Sequence, residues 1–281
     1  MMAELDATPL ASFEAKWALL HPELRLALNF IGAPRRPAYT AFACLVHELE
    51  HAAFGIREAQ PAAVKLQWWG EEFARAAAHA ARHPLTQVLQ AHPGFDAVAL
   101  ARWYEVIGGA LAQRDAEPAA DMQALLRAHA ALHAPLAAIE ADLFATIDAP
   151  ALARVRSMSR ALRETAALAD ALRDGRLPLP LDLLARHRLA RGDLVQHSDA
   201  QAGALRDWLE RLRAESGAIA NTRSGPLGAA TASADRWRMR VAARGSDPLA
   251  ALQASFARLP LRASWAAWQG GRRMRSKDAS A

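Results

Sequence analysis

The sequence has little of what disulfide-bonded, membrane-spanning and β-sheet proteins need. Cys44 is the only cysteine among 281 residues, so no disulfide can form within the chain, and this fits a reducing compartment. No apolar run reaches the roughly 18 residues of a membrane-spanning helix. β-Branched residues are scarce and there are only two tyrosines, whereas alanine and leucine dominate. We therefore predict an all-α, cytoplasmic protein.

The N-terminus and the charge exclude further classes. The first ten residues, MMAELDATPL, lack the basic and apolar regions of a secretory signal peptide, so we predict none. The formal net charge is +5, and nearly all basic residues are arginine, since lysine occurs only at Lys16, Lys65 and Lys277. Arginine suits phosphate, but these arginines are scattered and no nucleic-acid motif accompanies them. We expect no nucleic-acid partner.

Apolar residues at helical spacing predict helices along most of the chain, separated by proline and glycine. The predicted helices cover Pro9–Phe30, Ala38–Phe54, Pro61–Arg82, Pro84–Ala91, Ala97–Leu111, Glu117–Ile147, Asp148–Asp174, a short stretch from Asp182, Ser198–Ala214, Asp235–Ala243 and Asp247–Trp268. We predict a loop over Asn221–Ser233. One all-α domain is expected over residues 1–269, followed by a basic, disordered tail over residues 270–281.

The segment Ala161–Leu189 is the most informative part of the chain. An Ala/Leu helix there carries Asp170 and Asp174, and carboxylates at i and i+4 share one helix face. Such a pair can ligate Mg²⁺ and, through it, a substrate diphosphate. The helix ends at Gly175, and Leu179-Pro180 leads into the next short helix.

Two earlier segments complete a pattern with this one. They are Tyr39-Thr-Ala-Phe42 and Lys65-Leu-Gln-Trp-Trp69, the latter followed by Glu71-Glu72. Together with Gly175-Arg176, this order resembles the squalene/phytoene synthase family from about Pro37 to Leu212. The resemblance implies an isoprenoid-synthase-type helical bundle around a central cavity. Two aspartate-rich motifs would face each other across that cavity and bind Mg²⁺, which neutralises the diphosphate leaving group.

The first aspartate-rich motif of the family corresponds here to His47-Glu48-Leu49-Glu50-His51, which contains no aspartate. Imidazole nitrogen is a poor ligand for Mg²⁺, so Glu48 is the candidate ligand on this helix. In this respect the chain resembles a divergent family branch, the respiratory complex I assembly factors, whose aspartate motifs are also incomplete.

The second motif has two alignments. Counted back from Gly175-Arg176, its acidic positions fall on Ala167 and Ala171. A deletion of three residues just before Gly175 would instead place Asp170 and Asp174 at those positions.

Two functions follow from the resemblance. The first is an isoprenoid-binding or assembly protein whose prenyl condensation is impaired or lost and which needs no cofactor. The second is an active Mg²⁺-dependent prenyl transferase that condenses two prenyl diphosphates head to head, with Asp170, Asp174 and Glu48 as metal ligands. The sequence designates no catalytic residue. The resemblance implies substrate-binding roles for Arg173, Arg176, Trp68, Trp69 and Tyr39. We favour the first function.

The same helix also matches a zinc-site pattern. His47-Glu48-x-x-His51 places two imidazoles one turn apart, and Glu71 follows 20 residues after His51 as a third ligand. No sheet edge is predicted to hold a peptide, so a polar helix face is the simpler interpretation. A non-proteolytic metal site at His47 and His51 stays open as an alternative.

The C-terminal segment offers a surface contact. Trp265 and Trp268 precede a basic run that contains Arg272 and Arg273. Aromatic residues beside basic ones suit a peripheral contact with the inner face of a membrane, and a solvated helix end is the alternative. Other partners implied are a prenyl diphosphate or isoprenoid lipid, and a second protein.

Overall fold

The computed structural model describes residues 9–114, 116–145, 147–219 and 224–278, and within them the regular structure is helical, with no β-strand. The predicted all-α class is therefore confirmed. The described α-helices are α1 (Pro9–Leu20), α2 (Pro22–Leu28), α3 (Arg36–Glu50), α4 (Ala59–Ala77), α5 (Pro84–Gln90), α6 (Leu100–Ala112), α7 (Met122–Phe144), α8 (Ala149–Ala166), α9 (Leu168–Arg173), α10 (Leu181–Arg186), α11 (Asp199–Ile219), α12 (Gly225–Arg244), α13 (Pro248–Phe256) and α14 (Leu261–Asp278).

Most of the described helices begin at a proline or after a residue whose side chain caps the helix. Pro22 opens α2 and divides the single helix predicted over Pro9–Phe30 into two. Pro260 likewise separates α13 from α14, which were predicted as one helix. Ser198 caps α11, because its hydroxyl accepts a hydrogen bond from the backbone N–H of Gln201 at 3.1 Å. A π-helical turn, His51–Gly55, extends α3.

Helix α12 covers most of the segment predicted as a loop. Residues 220–223 lie outside the described part of the chain, and from Gly225 onward the backbone is helical. Gly225 has a positive φ of 70°, which glycine tolerates, and Pro226 follows at the start of the helix. The turn-forming residues therefore mark the beginning of a helix instead of a loop.

Helix α14 continues to Asp278, through most of the tail predicted to be disordered. At the start of this tail, Gly270 and Gly271 pack closely against neighbouring backbone. A Cβ atom on Gly271 would lie 2.5 Å from the carbonyl oxygen of Phe30, and one on Gly270 would lie 3.0 Å from Cα of Pro226. The glycines permit helix packing here, although in the sequence they resemble a helix end.

Two large buried clusters form most of the interior. The larger one joins α1 to α7 with α12 and α14 and includes Trp69, Phe73 and Trp103. The second joins α8 to α13 and is centred on Trp208, whose indole N–H donates to the hydroxyl of Thr165 at 2.9 Å. Helix α8 packs against α7, α11 and α12 and so lies between the clusters. In the described residues, no helix combines the length and hydropathy that a membrane span requires.

Candidate functional site

A cleft lies where α1, α2, α3, α8 and α12 meet. Its space measures about 660 Å³ when the part open to solvent is included, and about 80 Å³ of it can hold the centre of a water-sized sphere. Its walls on α1, α2 and α12 are mainly apolar and include Trp17, Leu24 and Leu227. Its polar groups come mainly from α3 and α8.

The α3 wall presents one helix face to the cleft. Ala43, Val46, His47 and Glu50 line it, as their spacing of three and four residues requires. Burial lowers the pKa of His47 and that of its neighbour His21, whose ring centroid is 5.6 Å from that of His47. Both imidazoles are therefore neutral at physiological pH, and Glu50 is the single carboxylate that α3 adds to the lining.

Glu48, the predicted ligand on α3, lies on a different face of the helix. Its carboxylate accepts a hydrogen bond of 2.7 Å from Nζ of Lys65 on α4. Burial alone would raise the pKa of Glu48, but the bond from Lys65 outweighs it and the pKa is lowered. Glu48 is thus occupied by an ammonium group and is not among the residues that line the cleft.

The α8 wall carries three arginines. Arg156, Arg160 and Arg163 all line the cleft, and their positions at i, i+4 and i+7 place them on one face of α8. Along the sequence the arginines are scattered, and these three were not among the predicted site residues. The signal that could have found them is this spacing within a helix whose other inward residues are small or apolar.

A buried carboxylate contacts each of these arginines. Arg156 pairs with Glu140 of α7, and Arg160 donates to Glu164 at 2.8 Å. Arg163 lies 3.6 Å from Glu23 of α2. The three glutamate residues are between 1% and 6% exposed. The arginines are therefore held by acids beneath the cleft surface.

The predicted acidic pair lies elsewhere. Asp170 is 64% exposed and pairs with Arg173 on the surface of α9. Asp174 accepts a hydrogen bond of 2.7 Å from Nε of Arg57, and this bond is the main reason that its pKa is lowered. Neither aspartate lines the cleft, and in the described part of the chain the two do not form a three-ligand group with Glu48.

The two arginines predicted to bind substrate differ in setting. Arg173 is exposed and contacts Asp170. Arg176 donates to Glu164 at 2.7 Å and, with His129, lines a second pocket. Glu164 thus connects the two pockets, because Arg160 contacts it from the larger one.

The predicted aromatic residues also lie outside the cleft lining. Tyr39 is buried, and its ring stacks on that of Phe144 with a centroid distance of 3.6 Å. Trp69 is buried beside Phe73, whereas Trp68 is 40% exposed. As two consecutive helical residues must, the tryptophans point in different directions.

The alternative metal site is also divided. His47 faces the cleft, whereas His51 is exposed. Glu71, the proposed third ligand, points to the surface near Arg75, at 3.8 Å. Among the described residues, no group of three or more histidine, cysteine, aspartate or glutamate side chains is arranged to hold a metal ion.

Glu72, which belongs to one of the sequence segments behind the resemblance, has a structural role. Its carboxylate is buried and accepts hydrogen bonds from the backbone N–H groups of Arg82 and His83 and from the hydroxyl of Thr86, at 2.6–2.8 Å. Burial would raise its pKa, yet these bonds and one from Arg75 lower it to about 2. Glu72 fixes the connection between α4 and α5.

Comparison with known proteins identifies the protein family. The family model described as squalene/phytoene synthase matches residues 22–269. The chain belongs to the squalene/phytoene synthase family. It is similar in fold to squalene synthase HpnC from Alicyclobacillus acidocaldarius, with a TM-score of 0.64 and 14% identity over 89% of this chain and 97% of that one.

A second solved structure is also similar to this chain in fold. A dehydrosqualene synthase in complex with ligand gives a TM-score of 0.66 at 11% identity, covering 97% of each chain. A comparison with curated proteins gives no match. The isoprenoid-synthase fold expected from the resemblance is therefore confirmed.

Members of this family are generally Mg²⁺-dependent prenyl transferases, so the cleft can be tested for its fit to that ion. Mg²⁺ requires hard oxygen ligands in near-octahedral geometry. The α3 wall offers Glu50 and a neutral imidazole, and the facing α8 wall offers three guanidinium groups. Guanidinium groups repel a cation and have no lone pair to donate. The residues that line the cleft do not fit a magnesium cluster.

Proposed function

We propose that this member of the squalene/phytoene synthase family binds an isoprenoid in its central cleft without condensing prenyl diphosphates, and acts as a binding or assembly protein. The observation that carries the proposal is the separation of the acids. Glu48, Asp170 and Asp174 each contact a cationic side chain, and none lines the cleft.

The chemistry of condensation supports the same proposal. Head-to-head coupling begins when a diphosphate leaves an allylic carbon, and the family uses metal ions to stabilise the charge that develops. Here the positive charge in the cleft comes from arginines. Arginine can bind a diphosphate, but it supplies none of the oxygen ligands that a magnesium cluster needs.

The apolar walls support an isoprenoid ligand. Trp17, Leu24, Val155 and Leu227 line the cleft on several sides of its polar wall. Pockets of this kind, mostly apolar with a few placed polar groups, are typical of small-molecule sites.

The test is an assay of diphosphate release from farnesyl or geranylgeranyl diphosphate in the presence of Mg²⁺. We expect release no faster than in matched buffer, for the wild-type chain and for the double variant Asp170→Ala/Asp174→Ala alike. Turnover by the wild-type chain that the double variant loses would contradict the proposal. It would support the alternative, an active prenyl transferase with Asp170 and Asp174 as metal ligands.

We also propose that the first part of α14 contacts the surface of an anionic membrane. Leu261 is 80% exposed and Trp265 is 59% exposed, and the Trp265 and Trp268 rings stack at 4.5 Å. Arg272 lies over the Trp268 ring at 4.9 Å. Exposed apolar and aromatic side chains beside arginine suit an interface with negatively charged lipid.

Co-sedimentation with vesicles tests this surface. We expect binding to vesicles that contain phosphatidylserine, weaker binding to neutral vesicles, and a marked loss in the variant Trp265→Ala. Tyr104, also an exposed aromatic residue at 48%, provides the control Tyr104→Ala. Equal loss in both variants, or no binding at all, would overturn the membrane contact.

A further inference from the structure

We propose that the cleft binds the anionic head group of its ligand directly through Arg156, Arg160 and Arg163, with no metal ion between them. The ligand class is an isoprenoid phosphate or diphosphate. This inference rests on the proposed function, because it assumes that the cleft is where the isoprenoid binds.

The spacing of the arginines suits an extended anion. Residues seven apart on a helix are separated by roughly 10 Å along its axis, so Arg156 and Arg163 span about the length of a diphosphate with its first carbons. Guanidinium groups bind phosphate oxygens through two parallel hydrogen bonds. Three on one face form a continuous strip of donors.

The carboxylates beneath the strip hold the arginines in place. Glu140, Glu164 and Glu23 belong to three different helices and are all buried. A long side chain that is already fixed loses less conformational entropy when a ligand binds. Each acid occupies only part of its arginine, since a guanidinium group has five N–H donors.

Some of the remaining donors have no partner. Nη1 of Arg156 and Nε of Arg160 are buried and make no hydrogen bond to any described residue. A buried donor without an acceptor costs about 1–3 kcal/mol. Both arginines line the cleft, so an oxyanion bound there would accept from these donors once the guanidinium groups turn towards it.

Two imidazoles line the cleft near Arg163, and Glu50, Ser159 and Thr231 are its other polar residues. Nη2 of Arg163 lies 3.2 Å from Nδ1 of His21, and the His21 ring stands edge-on to that of His47. Because both rings line the cleft, they can contribute neutral hydrogen bonds to the ligand while the arginines provide the charge.

The experiment measures binding by isothermal titration calorimetry with farnesyl thiodiphosphate, an analogue that resists ionisation. Titrations are made with EDTA and with Mg²⁺, and farnesol and inorganic pyrophosphate serve as the tail and the head alone. We expect the Kd for the analogue to agree within about twofold in EDTA and Mg²⁺, and farnesol to bind more weakly.

Arg163→Gln is the decisive variant. Without the Arg163 guanidinium group, Glu23 is still bonded to Arg238 at 3.0 Å. No buried acid is therefore left without a partner, and the fold should survive. A charge-assisted hydrogen bond is worth about 1.5–3 kcal/mol, so the Kd should rise about 10- to 100-fold. Arg154→Gln is the matched control, because Arg154 lies on the same helix but is exposed and pairs with Glu215.

Different failures have different meanings. Binding that requires Mg²⁺, or equal affinities of Arg163→Gln and Arg154→Gln, would overturn the arginine site. If farnesol then binds as tightly as the analogue, isoprenoid binding stands and only the head-group site is wrong. If neither binds, both proposals fail. Release of diphosphate from authentic substrate contradicts the proposed function by itself.

Discussion

Two arginine–carboxylate pairs lie close together in the sequence and in very different surroundings. Arg160 and Glu164 on α8 are a turn apart, with side chains 16% and 8% exposed, and Glu164 is also bonded to Arg176. Asp170 and Arg173 on α9 are again about a turn apart, but both are more than 60% exposed. The pattern in the sequence is nearly the same, so burial decides which pair organises the interior.

The largest effect is expected where a buried acid is removed. Glu164→Gln leaves Arg160 without its carboxylate, and breaking a buried pair on one side costs about 3–5 kcal/mol. We expect a corresponding fall in the free energy of unfolding measured by urea denaturation. Glu71→Gln is the control, because Glu71 is 55% exposed. Equal stability of the two variants would show that the buried network contributes little.

Glu72 extends the comparison to pH. Its pKa is about 2 in the folded chain and about 4.3 when unfolded, so it stabilises the fold above pH 4.3 and loses that contribution as the pH falls towards 2. Glu72→Gln should therefore cost about 3 kcal/mol at pH 7 and less than half of that at pH 3. Urea denaturation of both proteins at the two pH values measures this. A difference that does not depend on pH would contradict the assigned pKa.

Two adjacent glycines on α6 provide the same contrast without charge. A Cβ atom on Gly109 would lie 2.1 Å from the carbonyl oxygen of Ala131 on α7, whereas one on Gly108 would meet nothing within 4 Å. Gly109→Ala should destabilise the chain by about 1–3 kcal/mol or more. Gly108→Ala should stabilise it by about 0.5–1 kcal/mol, because alanine favours the helix. Thermal denaturation of both variants would show shifts of opposite sign.

The smallest effect is expected on α9. Asp170→Asn removes one partner of an exposed pair, and such pairs contribute little to stability. We expect no measurable change in the midpoint of urea denaturation, and no change in the affinity for farnesyl thiodiphosphate. A large loss of affinity would instead place Asp170 at the ligand.

The sequence was a good guide to the helices and a poor guide to the site. Helix α3 and the cap at Ser198 follow from apolar spacing and side-chain chemistry that act locally. The close approach of Gly271 to the backbone of Phe30 depends on packing between distant segments. The sequence alone therefore could not show that helix α14 continues past these glycines. The same holds for the cleft, since Arg163 lines it only because α8 lies beside α2 and α3 there. The spacing of four residues between Asp170 and Asp174 predicted a metal ligand at Asp170, but in the fold this side chain is exposed to solvent.

Glu23 has a consequence for any shortened form of this protein. It lies on the seven-residue helix α2, yet it neutralises Arg238, 215 positions later, and lies near Arg163 as well. A chain that began after this glutamate would leave Arg163 without this acid, and Arg238 would keep a single anion, Asp235. The short helix near the start of the sequence therefore supplies the negative charge that links two helices formed by much later segments, α8 and α12.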